Sequence, residues 1–227
     1  TVGNGSDELI SIIFSCMLQC GDKVLLFDND FSMYKFYGSI FEKNNVIINK
    51  NNDLSVNIDD AIKAINENNI KAVIFSNPCN PTSLVVSRND VIRLIESVNC
   101  LVIIDEAYMD FSNQSVLDAT QKYDNLIVLK TCSKAIGLAA VRLGFAVANN
   151  TITKALKAAK SPYNVNGLTQ LVGNIILDDA DYIKSCINKL LLSTKDLYNQ
   201  ILRLSEKKSD IITVYPTQTN FVLIKVK

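Results

Sequence analysis

TCSKAIGLAAVRLG (residues 131–144) is the most informative stretch of this sequence. It comes directly after the apolar run Leu126–Leu129, which is typical of a short buried strand. Its Lys134 lies beside small hydroxyl-bearing residues, and Arg142 follows eight residues later. A lysine amine can form an imine with an aldehyde, while hydroxyls and an arginine can bind a phosphate. The stretch therefore predicts a site for a phosphorylated aldehyde at the end of a strand.

The composition narrows the class of protein and its partners. Of the 227 residues, 48% are hydrophobic and 20% are charged, which is ordinary for a globular protein with a sizeable core. The formal net charge is zero, so neither nucleic acid nor an anionic membrane is expected as a partner. No apolar run approaches a membrane span, and the N-terminus reads as a loop without a secretory signal. We therefore expect a cytoplasmic protein.

The cysteines and the lack of histidine restrict the chemistry further. The six cysteines form no CxxC pair and are expected to be reduced thiols. Cys16 and Cys20 are four residues apart on a predicted helix, and we interpret them as buried small side chains. No metal site is expected. Because the sequence contains no histidine, Ser-His triads and histidine zinc sites are excluded, and proton transfer must fall to Lys, Tyr, Asp, Glu or Cys.

Strand-like and helix-like segments alternate over the first 150 residues. The predicted strands are Lys23–Phe27, Val46–Ile48, Ala72–Phe75, Leu101–Ile104, Leu126–Leu129 and Phe145–Ala148. The predicted helices are Asp7–Cys20, Met33–Phe41, Ile58–Asn66 and Asn89–Val98, with Asn57 and Ser87 as N-cap candidates. This alternation predicts an α/β fold with a mainly parallel sheet flanked by helices.

The pattern changes after Ser161-Pro162-Tyr163. Two longer helices, Thr169–Leu177 and Tyr182–Leu204, precede a pair of strands, Ile211–Tyr215 and Asn220–Val226. We therefore predict a large domain over residues 1–165. Residues 166–227 would form connecting helices and the start of a smaller α+β C-terminal domain.

Four polar clusters fall where predicted strands end. They are Asp28–Phe31, Asn77–Pro81, Asp105–Tyr108 and Thr131–Lys134. Ligands of open α/β sheets bind beyond the carboxyl ends of the strands, so four clusters on one edge form a strong signal. Gly3–Glu8 leads into a helix whose N-terminus can bind a phosphate, or it is simply an ordinary capped start. Combined with the lysine, these clusters predict pyridoxal 5′-phosphate (PLP) as the cofactor.

Each cluster also has a simpler interpretation. Asp105 can pair with a protonated pyridine nitrogen, or it can be a helix N-cap or part of a structural ion pair. Asn80 and Tyr108 can hydrogen-bond the phenolic oxygen of the cofactor, or they can be a turn residue and a packing residue. Phe31 can cover the pyridine ring or pack in the core. Lys134 can be a solvated surface lysine.

Five segments carry a resemblance to a known family. They are GNGSDELI (3–10), DFSMY (30–34), NPCNPT (77–82), DEAY (105–108) and TCSKAIGLAAVRLG (131–144). In their order and spacing the chain resembles the fold-type I PLP-dependent aminotransferases from residue 1 to about residue 165. Within these it most resembles the histidinol-phosphate aminotransferase subfamily. SPYNVN (161–166) and TNFVLI (219–224) resemble less distinctive family segments.

The resemblance implies an activity and its partners. The reaction would be amino transfer between L-histidinol phosphate and 2-oxoglutarate, forming glutamate, in histidine biosynthesis. The cofactor would be PLP and the assembly a homodimer. A threonine-phosphate decarboxylase or an aromatic aminotransferase would use the same cofactor residues. A PLP-binding regulatory module without turnover is the alternative from a different class.

The resemblance also implies residue roles. Lys134 would hold the cofactor covalently and carry the proton, and Asp105 would pair with the pyridinium nitrogen. Asn80 and Tyr108 would bond the phenolic oxygen, while Phe31 would stack on the ring. Ser6 and Asp7 would offer backbone amides to the phosphate, joined by Thr131, Ser133 and Arg142.

The sequence departs from the family pattern in three ways. Asn29-Asp30 replaces the usual Pro-Thr before the stacking aromatic residue, and Ser83 replaces a glycine. We expect both changes to leave the chemistry intact. The family's N-terminal arm and late C-terminal arginine are not in this sequence, so we expect its substrate site to be incomplete.

Overall fold

Strands and helices alternate along most of the chain. The computed structural model describes residues 1–208, 210 and 212–227. The strands are β1 Val2–Asn4, β2 Lys23–Phe27, β3 Asn44–Ile48, β4 Ala72–Ser76, β5 Leu101–Asp105, β6 Leu126–Thr131, β7 Leu143–Ala148, β8 Ile212–Val214 and β9 Ile224–Val226. The helices are α1 Gly5–Cys16, α2 Met33–Ile40, α3 Ile58–Asn68, α4 Arg88–Ser97, α5 Asn150–Ala159, α6 Gly167–Leu177 and α7 Ala180–Lys207.

Seven strands form one sheet in the order β1-β7-β6-β5-β4-β2-β3. β3, β2, β4, β5 and β6 run parallel, whereas β7 is antiparallel to both of its neighbours. With helices on both faces, this sheet confirms the predicted α/β fold class. Because the parallel strands point the same way, their carboxyl ends meet along one edge.

The inner parallel strands β2, β4, β5 and β6 are buried on both faces. On β5, Val102 and Ile104 belong to the core layer that includes α3 and α4, whereas Ile103 belongs to the layer with α1 and α5. Side chains alternate between the faces because a strand has a period of two residues. Each of these side chains contributes roughly 1.5–3 kcal/mol when fully buried. That burial fixes β5 in place and holds Asp105, its last residue, at the carboxyl edge.

Both predicted helix caps are confirmed. The Asn57 side chain accepts hydrogen bonds from the backbone nitrogens of Asp59 and Asp60, and the Ser87 side chain accepts one from Asp90. These bonds satisfy N–H groups that the first turn of a helix leaves unpaired, and each cap is worth about 1 kcal/mol. α3 and α4 therefore begin where the sequence places them.

The N-terminal elements differ from those predicted. Val2–Asn4, predicted as a loop, forms β1 by pairing with the edge of β7. α1 begins at Gly5 and ends at Cys16, so Cys20 lies beyond it. Both thiols are exposed. The prediction that Cys16 and Cys20 are buried on one helix is therefore wrong.

The C-terminal elements follow the prediction with shifted ends. α6 and α7 contain the two predicted helices, whereas α5 is a further helix that the sequence pattern did not predict. β8 and β9 pair antiparallel. Ile211, the first residue of one predicted strand, lies outside the described residues, and the other strand begins at Ile224 rather than Asn220. The division into domains after residue 165 stays a prediction. In the described part of the chain, no helix is both long and apolar enough to cross a membrane.

Candidate active site

A cavity of about 240 Å³ lies at the carboxyl edge of the sheet. All ten predicted site residues line it: Ser6, Asp7, Phe31, Asn80, Asp105, Tyr108, Thr131, Ser133, Lys134 and Arg142. Three further residues, Tyr34, Ser76 and Ala107, complete the lining. The structure thus brings together every residue that the sequence predicted for the site.

Asp105 is a buried acid at the end of β5, with only 4% of its surface exposed. One carboxylate oxygen accepts a hydrogen bond from the Tyr34 hydroxyl at 2.8 Å, and the other accepts one from the Ala107 backbone nitrogen at 3.0 Å. Burial raises the pKa of Asp105 to about 6, although these two bonds and the positive charge of Lys134 act in the opposite direction. A buried carboxylate of this kind is stabilised by a cation placed beside it.

Lys134 and Tyr108 lie together in the cavity. The Lys134 Nζ is 5.2 Å from the centre of the Tyr108 ring, a distance at which the cation is attracted to the ring face. Lys134 is exposed, whereas Tyr108 is buried and packs edge-on against Phe221, with ring centres 5.2 Å apart. The lysine amine is thus accessible from the cavity, on a turn in which the Ser133 backbone nitrogen donates to the Thr131 hydroxyl.

The start of α1 and Arg142 form a cradle for an anion. Gly5 has φ +76, and a side chain there would collide with the Arg142 guanidinium. A side chain at Gly144 would likewise collide with the backbone nitrogen of Ser6. The Arg142 guanidinium also lies 3.5 Å from the Ser133 hydroxyl. Backbone N–H groups at a helix start, a guanidinium and hydroxyls together suit a phosphate monoester.

The Asp7 carboxylate is hydrogen-bonded to a group outside this cradle. It accepts a bond of 2.8 Å from the Tyr37 hydroxyl. Burial and this bond raise the pKa of Tyr37 to about 12, so the hydroxyl keeps its proton and stays a donor. The backbone of Asp7 can therefore serve an anion while its carboxylate is occupied elsewhere.

The loop after β4 carries Asn80 to the cavity. The Asn77 side chain donates to the Val86 carbonyl at 3.0 Å and accepts from the Val86 nitrogen at 2.9 Å, which closes the loop at its base. The Asn80 backbone nitrogen donates to the Ser76 hydroxyl at 3.1 Å. The peptide bonds of Asn77 to Pro78 and of Asn80 to Pro81 are both cis. Phe31, which also lines the cavity, is held edge-on against Tyr34, with ring centres 5.5 Å apart.

Sequence analysis missed Tyr34 and Ser76. Tyr34 is fully buried and bonds Asp105, yet it is separated from Asp105 by 71 residues in the chain. Ser76 ends β4 directly beside Asp105 on β5. The rule that strand ends line the site would have included Ser76, and Tyr34 is the last residue of the quoted segment DFSMY.

The cavity fits the predicted cofactor. A protonated pyridine nitrogen would satisfy the buried Asp105 carboxylate, and Phe31 supplies an aromatic face beside it. The cradle at Gly5 and Arg142 has the donors that a phosphate needs, and the glycine leaves room for the Arg142 guanidinium. Lys134 supplies an accessible amine in the same cavity.

The chain belongs to the aminotransferase class I and II family, whose sequence model matches residues 1–227. It is 46% identical to the histidinol-phosphate aminotransferase of Clostridium novyi (strain NT), over 98% of this chain and 61% of that protein. It is 40% identical to the protein of the same name from Thermoanaerobacter sp. (strain X514), over 100% of this chain and 63% of that protein. These relatives confirm the resemblance that the sequence motifs predicted.

The fold is also similar to that of a solved structure. The crystal structure of histidinol-phosphate aminotransferase from Sinorhizobium meliloti in complex with pyridoxal-5′-phosphate aligns with a TM-score of 0.89 at 20% identity. The alignment covers 99% of this chain and 60% of that one. The chain therefore spans about three fifths of the length of the proteins that it matches.

Proposed function

We propose that this chain is the PLP-binding part of an aminotransferase that acts on L-histidinol phosphate and 2-oxoglutarate. The observation that carries the proposal is the meeting of Lys134, Asp105 and the Gly5–Arg142 cradle in one cavity of about 240 Å³. An amine, a buried acid and an anion cradle are what a phosphorylated pyridine aldehyde requires. The names of the relatives support the choice of substrates.

The residues of the cavity would share the work of binding the cofactor. Asp105 pairs with the ring nitrogen and keeps it protonated, because the buried carboxylate is more stable beside a cation. Phe31 covers one face of the ring. Asn80 and Tyr108 donate hydrogen bonds to the phenolic oxygen. The phosphate is bound by the helix start and the residues around it: Ser6, Asp7, Thr131, Ser133 and Arg142.

Bound PLP supplies an electron-withdrawing ring that stabilises negative charge on the substrate carbon. Lys134 would hold the cofactor through its Nζ, and the same amine would move the proton of the reacting carbon. No histidine is present in the sequence to do this. Tyr108, whose ring lies 5.2 Å from the Nζ, keeps the amine over the site.

The proposal includes the setting of the enzyme. We place it in the cytoplasm, in histidine biosynthesis, as a homodimer with PLP. The cysteines among the described residues are free thiols, which supports a reducing compartment.

The test is an amino-transfer assay on the intact protein with PLP. Glutamate should form from 2-oxoglutarate when L-histidinol phosphate is the donor, and Lys134→Ala should abolish this turnover. Lys130→Ala is the matched control, since Lys130 lies on β6, just before the turn that carries Lys134, but pairs with Asp110 at 2.8 Å. Release of carbon dioxide from threonine phosphate, or amino transfer to phenylpyruvate without activity on L-histidinol phosphate, would contradict the proposed substrates. Binding of PLP without any transfer from glutamate would reduce the protein to a PLP sensor.

A further inference from the structure

Asp30 is a carboxylate behind the cavity wall, at a point where three neighbouring strands end. β2, β4 and β5 lie side by side, and Asp30 follows β2, Ser76 ends β4 and Asp105 ends β5. Ser76 and Asp105 are register partners. Asp30 does not itself line the cavity, whereas Ser76 does.

Asp30 binds Ser76 through both of its oxygens. One oxygen accepts the Ser76 hydroxyl, and the other accepts the Ser76 backbone nitrogen at 3.2 Å. The first oxygen also accepts the Phe31 backbone nitrogen at 2.7 Å. Burial raises the pKa of Asp30, whereas the positive charge of Lys50 and these hydrogen bonds act in the opposite direction.

These bonds fix the direction of the Ser76 hydroxyl. The Ser76 hydroxyl has a single proton, and it donates that proton to Asp30. The hydroxyl oxygen is then an acceptor on its other side, where the Asn80 backbone nitrogen donates to it at 3.1 Å. A neutral hydroxyl at position 30 could donate as well as accept and would leave this direction open.

We propose that Asp30 is a positioning residue that orients the Ser76 hydroxyl and thereby holds Asn80 where it can bond the cofactor. Through the Phe31 backbone the same carboxylate also steadies the residue that covers the ring. The inference rests on the proposed function, since it deepens the role of that site. Asp30 acts through Ser76 and Phe31, without contact to substrate or cofactor.

The experiment is a double-mutant cycle in the intact protein, with the PLP dissociation constant as the readout. Asp30→Asn and Ser76→Ala should each weaken PLP binding about tenfold, the loss expected for a charge-assisted hydrogen bond. Because both changes break the same link, the double variant should be about as weak as either single one. Asp28→Asn is the matched control. Its carboxylate lies in the same loop but accepts from Lys50 and Asn29.

A second readout separates positioning from general loosening of the fold. The visible absorbance of bound PLP changes with pH. A weaker bond to the phenolic oxygen should raise the pH at the midpoint of this absorbance change by about one pH unit. Asp30→Asn and Ser76→Ala should show this shift, while Asp28→Asn should not. If Asp30→Asn does not fold, Asp30→Ser replaces it in the same cycle.

Two results would overturn the inference. One is unchanged PLP affinity in Asp30→Asn; the other is a double variant whose loss is the product of the two single losses, about 100-fold. A wild-type protein that does not bind PLP would instead remove the proposed function. The two failures are therefore distinguishable.

Discussion

Replacing Asp105 with asparagine should stabilise the PLP-free protein at neutral pH. The pKa of Asp105 rises from its usual 3.8 to about 6 because the carboxyl is buried. A raised pKa means that folding disfavours the ionised form of Asp105. The contribution of this group to the free energy of unfolding is therefore fully present below about pH 4 and is lost as the pH rises through about 6. A rise of about two units costs about 3 kcal/mol at neutral pH.

The asparagine variant avoids this cost but gives up some hydrogen bonding. Its single amide oxygen can serve only one of the two donors, Tyr34 and Ala107, which costs about 1 kcal/mol. The variant should therefore be more stable than wild type by about 2 kcal/mol at pH 7 and less stable by about 1 kcal/mol near pH 4. Its affinity for PLP should fall, because an amide lacks the negative charge that stabilises a protonated ring nitrogen.

Urea denaturation of both PLP-free proteins between pH 4 and 8 measures this difference. Subtracting one curve from the other removes the titration of all groups that the proteins share. Asp53→Asn is the control, because hydrogen bonds from Ser55 lower the pKa of Asp53. Because the resulting stabilisation is lost only as the pH falls below the usual pKa of 3.8, the stability difference between this variant and wild type should stay nearly constant from pH 4 to 8. A difference between wild type and Asp105→Asn that stays constant across this range would refute the reasoning.

Three other substitutions test the cradle, the acid and a cap. Gly5→Ala places a methyl group against the Arg142 guanidinium at φ +76, so PLP affinity should fall at least tenfold in a fluorescence titration. Tyr34→Phe removes the hydrogen bond from the hydroxyl to Asp105, and we expect the free energy of unfolding at pH 7 to fall by about 1.5–3 kcal/mol in urea denaturation. Asn57→Ala removes an N-cap that does not line the cavity. The free energy of unfolding should fall by about 1 kcal/mol, while PLP affinity stays unchanged.

The centre of the sheet could be predicted from the sequence because the inner parallel strands β2, β4, β5 and β6 are buried on both faces. Runs such as Leu101–Ile104 have no polar residue until the carboxyl edge, so the strand and its functional end appear together. Val2–Asn4 could not be predicted, because a three-residue strand exists only through its distant partner β7. α5 was missed although Asn149 caps it, since Thr151, Ile152 and Thr153 are β-branched and weaken the helical signal.

The candidate site was predictable as a set of strand ends but not as a network. Asp30 follows β2 and Ser76 ends β4, two strands that are adjacent in the sheet but not consecutive in the chain, so their bond depends on the strand order. Ser83 was expected to be a neutral loop change. It is buried at φ 61, and its hydroxyl lies 2.6 Å from that of Thr219, which joins the Asn80 loop to the C-terminal segment.

The most direct test of the proposed site is to find which lysine holds PLP. The intact protein is incubated with PLP, reduced with borohydride to make the bond permanent, digested and analysed by mass spectrometry. We expect the label on Lys134 and its loss from the protein in Lys134→Arg. A label on Lys130 or any other lysine, or no label at all in a protein that binds PLP, would contradict the assignment.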